Sequence, residues 1–134
     1  MGIEDPSRLR VLIADDHPGI VKSLSRLLAL DYDVVGSVTN GSGLLEAAQR
    51  LHPDVIVLDL SLRDVDSLDA CRQITQCNPE MRVIVFTATD NPDARRRASE
   101  SGASLFVHKL AFGDDLLSAV KRLDDNRGRS PSVI

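Results

Sequence analysis

The chain has 134 residues and a formal net charge of -4, with 20 acidic side chains against 16 Lys and Arg. One domain is therefore expected, and the acidic balance excludes binding to nucleic acid or to an anionic membrane through charge alone. No apolar run approaches the roughly 20 residues that cross a bilayer, and residues 1–10 are too polar for a signal peptide, so we expect a cytoplasmic protein without a membrane partner.

Five short apolar runs, rich in β-branched residues, predict five β-strands. Each run is continuous rather than alternating, which is typical of strands covered on both faces. The runs span residues 11–14, 34–38, 55–58, 83–86 and 105–107. A segment with helical spacing follows each run. These segments are marked by Leu24, Leu27 and Leu28, by Leu44, Leu45, Ala48 and Leu51, by Leu68, Cys71 and Ile74, by residues 94–101, and by Leu116, Leu117, Val120 and Leu123.

The alternation of strands and helices determines the predicted fold. It requires parallel strands joined by right-handed crossovers, and five strands are too few for an eight-stranded barrel. We therefore predict an α/β fold with a doubly wound (βα)5 architecture in three layers. Its five parallel strands take the order 2-1-3-4-5, as in flavodoxin and CheY.

Polar side chains stand directly beyond four of the five predicted strands. Asp15 and Asp16 follow the first strand, Asp59 follows the third, Thr87 ends the fourth, and Lys109 follows the fifth. Ligands of such sheets bind beyond the carboxyl ends of the strands. Clustered carboxylates need a neutralising cation, and oxygen ligands without His or Cys favour Mg²⁺. The pattern predicts phosphoryl transfer, with Asp59 as the central nucleophile.

Four motifs in order carry a resemblance to a known family. They read VLIADDHP at 11–18, VIVLD at 55–59, VIVFTA at 83–88 and GASLFVHK at 102–109. Over residues 9–123 the chain resembles the receiver domain of two-component response regulators. The DDHP motif and the segment VVGSVTNG at 34–41 are most similar to receivers of the NarL/FixJ type.

The resemblance implies a role for each residue of the metal site. Asp59 would accept a phosphoryl group from a sensor histidine kinase. Asp16 would bind Mg²⁺ directly, with Asp15 beside it, often through water. The backbone carbonyl of Ser61 would be the third protein ligand.

The resemblance also implies a switch. Thr87 and Lys109 would bind the phosphoryl oxygens, and Phe106 would repack when Thr87 moves inward. The face formed by the fourth helix, fifth strand and fifth helix would be the output surface and a candidate homodimer interface. The domain would catalyse only its own phosphorylation and dephosphorylation, as a signalling switch rather than a metabolic enzyme.

The domain boundaries follow from the span of the motifs and the composition of the tails. Residues 1–7 are expected to be a flexible segment, residues 8–124 the receiver domain, and residues 125–134 a linker or disordered tail. The tail would lead to a helix-turn-helix output domain that regulates transcription, so this chain itself would not bind nucleic acid.

Three positions depart from the family pattern. Leu62-Arg63 stands where Met-Pro is common, Ser67 replaces a Gly, and Leu110 follows Lys109 where Pro or Asp is usual. These departures keep open an alternative function, a receiver-like adaptor that acts through protein contacts without phosphorylation. Where the family has a cis bond to Pro after the lysine, a cis Lys109-Leu110 bond would be energetically costly. A metal-dependent phosphatase is disfavoured because no second carboxylate lies two residues after Asp59.

The remaining candidates have simpler interpretations. His17 and His52 are predicted to be turn residues, because no Cys or His clusters with them. Cys71 and Cys77 are predicted to be reduced thiols, residues 40–43 a turn into the second helix, and Arg95 to Arg97 a solvated helix face. Asp15 and Asp16 taken alone would suit a helix N-cap.

Overall fold

The computed structural model describes residues 8–62, 67–88, 91–109 and 114–126, in which five strands alternate with five helices. The elements are β1 (Arg10–Ala14), α1 (Pro18–Leu28), β2 (Asp33–Val38), α2 (Gly41–Leu51), β3 (Val55–Leu58), α3 (Ser67–Cys77), β4 (Arg82–Thr87), α4 (Pro92–Glu100), β5 (Leu105–His108) and α5 (Asp114–Asp125). None of these helices has the length and apolar character needed to span a membrane. The predicted tail at 1–7 lies outside the described residues. Of the predicted tail at 125–134 only Asp125 and Asn126 are described, and Asp125 is the last residue of α5.

The strands form one parallel sheet in the order β2-β1-β3-β4-β5, which confirms the predicted fold. Every residue of β3 is buried, as a continuous apolar run predicts. The prediction of full burial was wrong for the edge strands: each residue of β2 is at least partly exposed, and only Val107 of β5 is buried. An edge strand has a neighbour on one side only, so it is covered less completely.

Two apolar layers enclose the sheet, because successive side chains of a strand point to opposite faces. Leu12 and Ala14 of β1 pack in a cluster with residues of α2, α3 and α4. Val11 and Ile13 pack in a second cluster with residues of α1 and α5. This arrangement gives the predicted three layers and leaves the carboxyl ends of the strands free for polar side chains.

The N-caps of α1 and α2 define the ends of the loops that follow β1 and β2. Asn40 caps α2 by accepting a hydrogen bond from the Gly43 amide at 2.8 Å, so the predicted turn at residues 40–43 is the N-cap and first turn of the helix itself. The N-cap of α1 is His17, which makes no side-chain cap, and Pro18 follows in the first turn. Asp15 and Asp16 are therefore not the N-cap residue, and their carboxylates serve another purpose.

Candidate functional site

Backbone hydrogen bonds fix two aspartates at the carboxyl edge of the sheet. The Asp59 amide donates to the Ala14 carbonyl at 2.9 Å, and the Asp15 amide donates to the Val38 carbonyl at 3.0 Å. These bonds extend the strand ladders by one residue beyond β1 and β3. The Asp15 and Asp59 side chains are both only 2% exposed. The parallel register thus brings two buried carboxylates together, as predicted.

Lys109 links these two carboxylates. Its Nζ lies 3.0 Å from Oδ2 of Asp15 and 3.0 Å from Oδ2 of Asp59, and the lysine side chain is 12% exposed. Burial alone lowers the pKa of Lys109, but the hydrogen bonds and charges of Asp15 and Asp59 outweigh burial and raise that pKa. Lys109 is therefore a fixed positive charge beside Asp59 at neutral pH.

Two serines hold Asp59 from the loop that follows it. Oδ1 of Asp59 accepts a hydrogen bond from the Ser61 amide at 3.1 Å, and Oδ2 accepts one from the Ser61 hydroxyl at 2.9 Å. The buried Ser67 hydroxyl donates to the Asp59 carbonyl at 3.3 Å. Only the Ser61 carbonyl was predicted at this site, and neither hydroxyl was. An Asp followed two residues later by Ser is a local turn signal that could have indicated the first contact.

His17 is the main site residue that the sequence analysis missed. Its Nδ1 lies 2.7 Å from Oδ1 of Asp15, 3.1 Å from Oδ1 of Asp16 and 3.7 Å from Oδ2 of Asp59. His17 is the extended N-cap residue of α1 rather than a turn residue, and its ring contacts carboxylates instead of Cys or His side chains. His17 directly follows the acidic pair, and that position was the available signal.

The charge of this cluster suits a divalent cation. Three carboxylates, from Asp15, Asp16 and Asp59, face one Lys109 ammonium, which leaves two negative charges when the imidazole is neutral. One ligand atom from each aspartate and from His17 lies within 4.8 Å of the others. Carboxylate oxygens are the ligands that Mg²⁺ prefers, so the donor set fits the metal that the sequence predicted.

Comparison with known proteins decides the family. The sequence model of the family described as "Response regulator receiver domain" matches residues 11–121. The chain belongs to this family. It is similar to "Response regulator protein VraR" of Staphylococcus saprophyticus, with 30% identity over 120 residues that cover 88% of this chain and 57% of the relative. It is also similar to "Transcriptional regulatory protein DegU" of Brevibacillus brevis, with 28% identity over 117 residues that cover 86% of this chain and 50% of that protein.

A solved structure gives the same result. The signal receiver domain of the putative response regulator NarL from Mycobacterium tuberculosis superposes with a TM-score of 0.84 at 28% identity, covering 91% of this chain and 100% of that one. The receiver domain described here is thus of the NarL/FixJ kind. It spans somewhat more than half the length of VraR and half the length of DegU.

The predicted switch residues of this receiver domain lie on the two strands at the far side of the sheet. Thr87 ends β4, is 2% exposed and pairs in register with His108 of β5. Phe106 is partly buried against the cluster of α2, α3 and α4. The Arg95 guanidinium of α4 lies 4.6 Å from the centroid of the Phe106 ring. Arg95 to Arg97 are exposed, as predicted for a solvated helix face, and Arg95 in addition stacks on the predicted switch aromatic.

Two of the three departures from the family pattern lie outside the described residues, namely Arg63 and Leu110 together with the Lys109-Leu110 bond. Ser67 is described, and it fits the site. Its side chain is buried at the start of α3, and its hydroxyl binds the Asp59 carbonyl. A serine in place of glycine at this position therefore adds a contact to the loop that holds Asp59.

Proposed function

We propose that Asp59 accepts a phosphoryl group from a sensor histidine kinase in a two-component phosphorelay. The observation that carries this proposal is the environment of Oδ2 of Asp59, a nearly buried carboxylate oxygen 3.0 Å from the Lys109 ammonium in a cluster with excess negative charge. The ammonium contacts the carboxylates of Asp15 and Asp59, and Asp16 adds a third carboxylate to the cluster, which is more than a structural ion pair needs. The membership of the receiver family supports the same reaction.

The chemistry is a nucleophilic displacement at phosphorus. An oxygen of Asp59 forms a bond to phosphorus as the bond from phosphorus to the imidazole nitrogen of the donor breaks, and the leaving imidazole takes up a proton. Lys109 and Thr87 bind the phosphoryl oxygens, and Lys109 offsets their charge without reorganising. Asp15, Asp16, Asp59 and the Ser61 carbonyl would hold Mg²⁺, which supplies further positive charge to the phosphoryl group when bound.

The phosphorylated domain acts as a switch rather than a metabolic enzyme, because its only turnover is formation and hydrolysis of its own acyl phosphate. We assign the output to the face of α4, β5 and α5, where Arg95 stacks on Phe106. A shallow groove of about 280 Å³ on this face is lined by residues of β5 and α5 together with Arg95. Inward movement of Thr87 would change the packing of Phe106 and hence the shape of this face.

The wider assignment follows from the relatives. Since the chain spans somewhat over half of VraR and half of DegU, we assign DNA binding and transcription control to a helix-turn-helix output domain and not to the receiver domain. The face of α4, β5 and α5 also serves as the surface for a homodimer in this proposal. A cytoplasmic location belongs to the same proposal.

A direct test is to incubate the protein with Mg²⁺ and a small phosphodonor such as acetyl phosphate, and to measure its intact mass. We expect the wild type to gain one phosphoryl group and Asp59→Asn to gain none. Asp54→Asn is the matched control, because Asp54 directly precedes the other end of β3, and it should be labelled like the wild type. An unlabelled wild type, or equal labelling of Asp59→Asn, would refute the proposal.

Mass, partner binding and phosphate-ester turnover together distinguish the two alternatives, an adaptor and a phosphatase. An adaptor that acts without phosphorylation would show no mass change and would bind its partner equally well as wild type and as Asp59→Asn. A phosphatase would turn over phosphate esters. Among the described residues, Ser67 fits the phosphorylation site, so this departure does not favour the adaptor.

A further inference from the structure

An imidazole nitrogen lies inside the carboxylate cluster, at the position where the oxygen ligands converge. Nδ1 of His17 is within 3.1 Å of two carboxylate oxygens and 3.7 Å from Oδ2 of Asp59. The backbone holds it there, because the His17 amide donates to Oδ1 of Asp15 at 2.8 Å and α1 begins at the next residue. The His17 side chain is 55% exposed, so it closes the cluster on its solvent side.

This nitrogen changes which metals the site can bind. The four ligand atoms lie within 4.8 Å of one another. Zinc binds imidazole nitrogen and carboxylate oxygen at about 2.0–2.2 Å, so the four groups would have to draw closer together to share one ion. Imidazole is a preferred ligand of Zn²⁺, whereas Mg²⁺ takes oxygen ligands and keeps several waters.

We propose that Nδ1 of His17 is a direct ligand for Zn²⁺ and similar transition metals at this site, and that Mg²⁺ binds there without it. The inference rests on the proposed function, since it concerns the same cation site. Nδ1 of His17 lies 2.7 Å from Oδ1 of Asp15, and a metal bound to Nδ1 requires the tautomer that carries its hydrogen on Nε2. The receiver domain thereby distinguishes two classes of cation through one residue beside the acidic pair.

Calorimetric titration with Mg²⁺ and with Zn²⁺ at pH 7.5 tests this assignment. The variant is His17→Asn, and the matched control is His52→Asn, because His52 caps the C-terminus of α2 with φ 48° and Asn tolerates that backbone conformation. All proteins carry Cys77→Ser, since Cys77 is an exposed thiol that could bind zinc. The ring nitrogens of the histidines are followed by ¹⁵N NMR during the Zn²⁺ titration.

The expected result is a loss of Zn²⁺ affinity of about tenfold or more in His17→Asn, as for a lost metal-site contact. The Mg²⁺ affinity should stay within about threefold, His52→Asn should match the unsubstituted protein with both metals, and the Nδ1 resonance of His17 should shift with Zn²⁺. Equal losses for Zn²⁺ and Mg²⁺, or an unshifted Nδ1 resonance, would overturn the assignment.

The two experiments distinguish a failure of the proposed function from a failure of this inference. If the wild type takes up the phosphoryl group with Mg²⁺ while Zn²⁺ affinity is insensitive to His17, only the inference is wrong. If the wild type binds neither metal and takes up no phosphoryl group, both are wrong.

Discussion

The two ends of the central strands carry the same kinds of charged residue in opposite settings. At the amino end, the Arg10 guanidinium lies 3.8 Å from Asp33 with both side chains more than a third exposed, and it donates to the Leu51 carbonyl at 2.6 Å. At the carboxyl end, the Lys109 ammonium contacts two carboxylates that are 2% exposed. The two ends therefore differ in the burial of their charged groups.

The difference supports the proposed site at the carboxyl end. An exposed pair such as Arg10 and Asp33 costs little to form and contributes about 0–1 kcal/mol. Asp15 and Asp59 are buried and lose hydration, and they share one ammonium, which makes their burial costly. Such an arrangement is not expected from selection for stability alone, and it is consistent with the proposed phosphorylation of Asp59.

Removing the cation at each end in turn tests most directly whether the two ends differ in function. Lys109→Met keeps the apolar stem of the side chain but removes the charge that faces the phosphoryl oxygens. We expect the rate of phosphoryl uptake from a small donor to fall about 100-fold or more, as for loss of a positioned electrostatic donor. Arg10→Met should stay within about twofold, because Arg10 lies at the opposite end of the strand. Intact mass followed over time gives both rates.

Circular dichroism of Lys109→Met with Mg²⁺ present separates loss of chemistry from loss of fold. A folded variant with the wild-type rate would contradict the role of Lys109. A matching loss in Arg10→Met would mean that the two ends do not differ in function.

At the carboxyl ends of the strands, the sequence could predict the residues whose positions follow from the backbone of the sheet. Central strands are buried on both faces, so β3 appears as an uninterrupted apolar run and Asp59 is found at its end. Parallel pairing then brings Asp15 beside Asp59. His17, the Ser61 hydroxyl and Arg95 could not be placed in this way, because their contacts depend on side-chain rotamers and on the loop or helix that follows a strand.

Burial also gives the two cysteine thiols of α3 different expected reactivity. Burial raises the pKa of Cys71 from its ordinary value of 9.0 to about 11, whereas the Cys77 side chain is exposed. At pH 8 a rise of two units leaves about 100-fold less thiolate, and the thiolate is the reactive form. Iodoacetamide should therefore add one group to the native protein rapidly and a second only in denaturant.

Cys77→Ser is the control for this assignment, and native Cys77→Ser should react at least about 100-fold more slowly than native wild type. Two additions at similar rates in the native protein would show that Cys71 is not protected by α3 and the sheet.

The smallest expected effects are on the free energy of unfolding, when one carboxylate at each end is replaced by an amide. Asp16→Asn removes a charge from the carboxylate cluster while keeping the size and shape of the side chain. Without Mg²⁺ we expect the free energy of unfolding to rise by about 1 kcal/mol, because repulsion among three carboxylates is relieved. Asp33→Asn should lower that free energy by about 0.5 kcal/mol or less, because its pair with Arg10 is exposed.

Urea unfolding with and without Mg²⁺ measures both values and adds a second comparison. A ligand that binds only the folded state stabilises it by an amount that grows with the logarithm of its concentration relative to Kd. Mg²⁺ should therefore stabilise the wild type and Asp33→Asn equally, and Asp16→Asn much less. If Asp16→Asn is destabilised without Mg²⁺, its carboxylate contributes to folding as an ordinary ion pair does. The excess charge at the carboxyl end would then no longer distinguish it from the amino end.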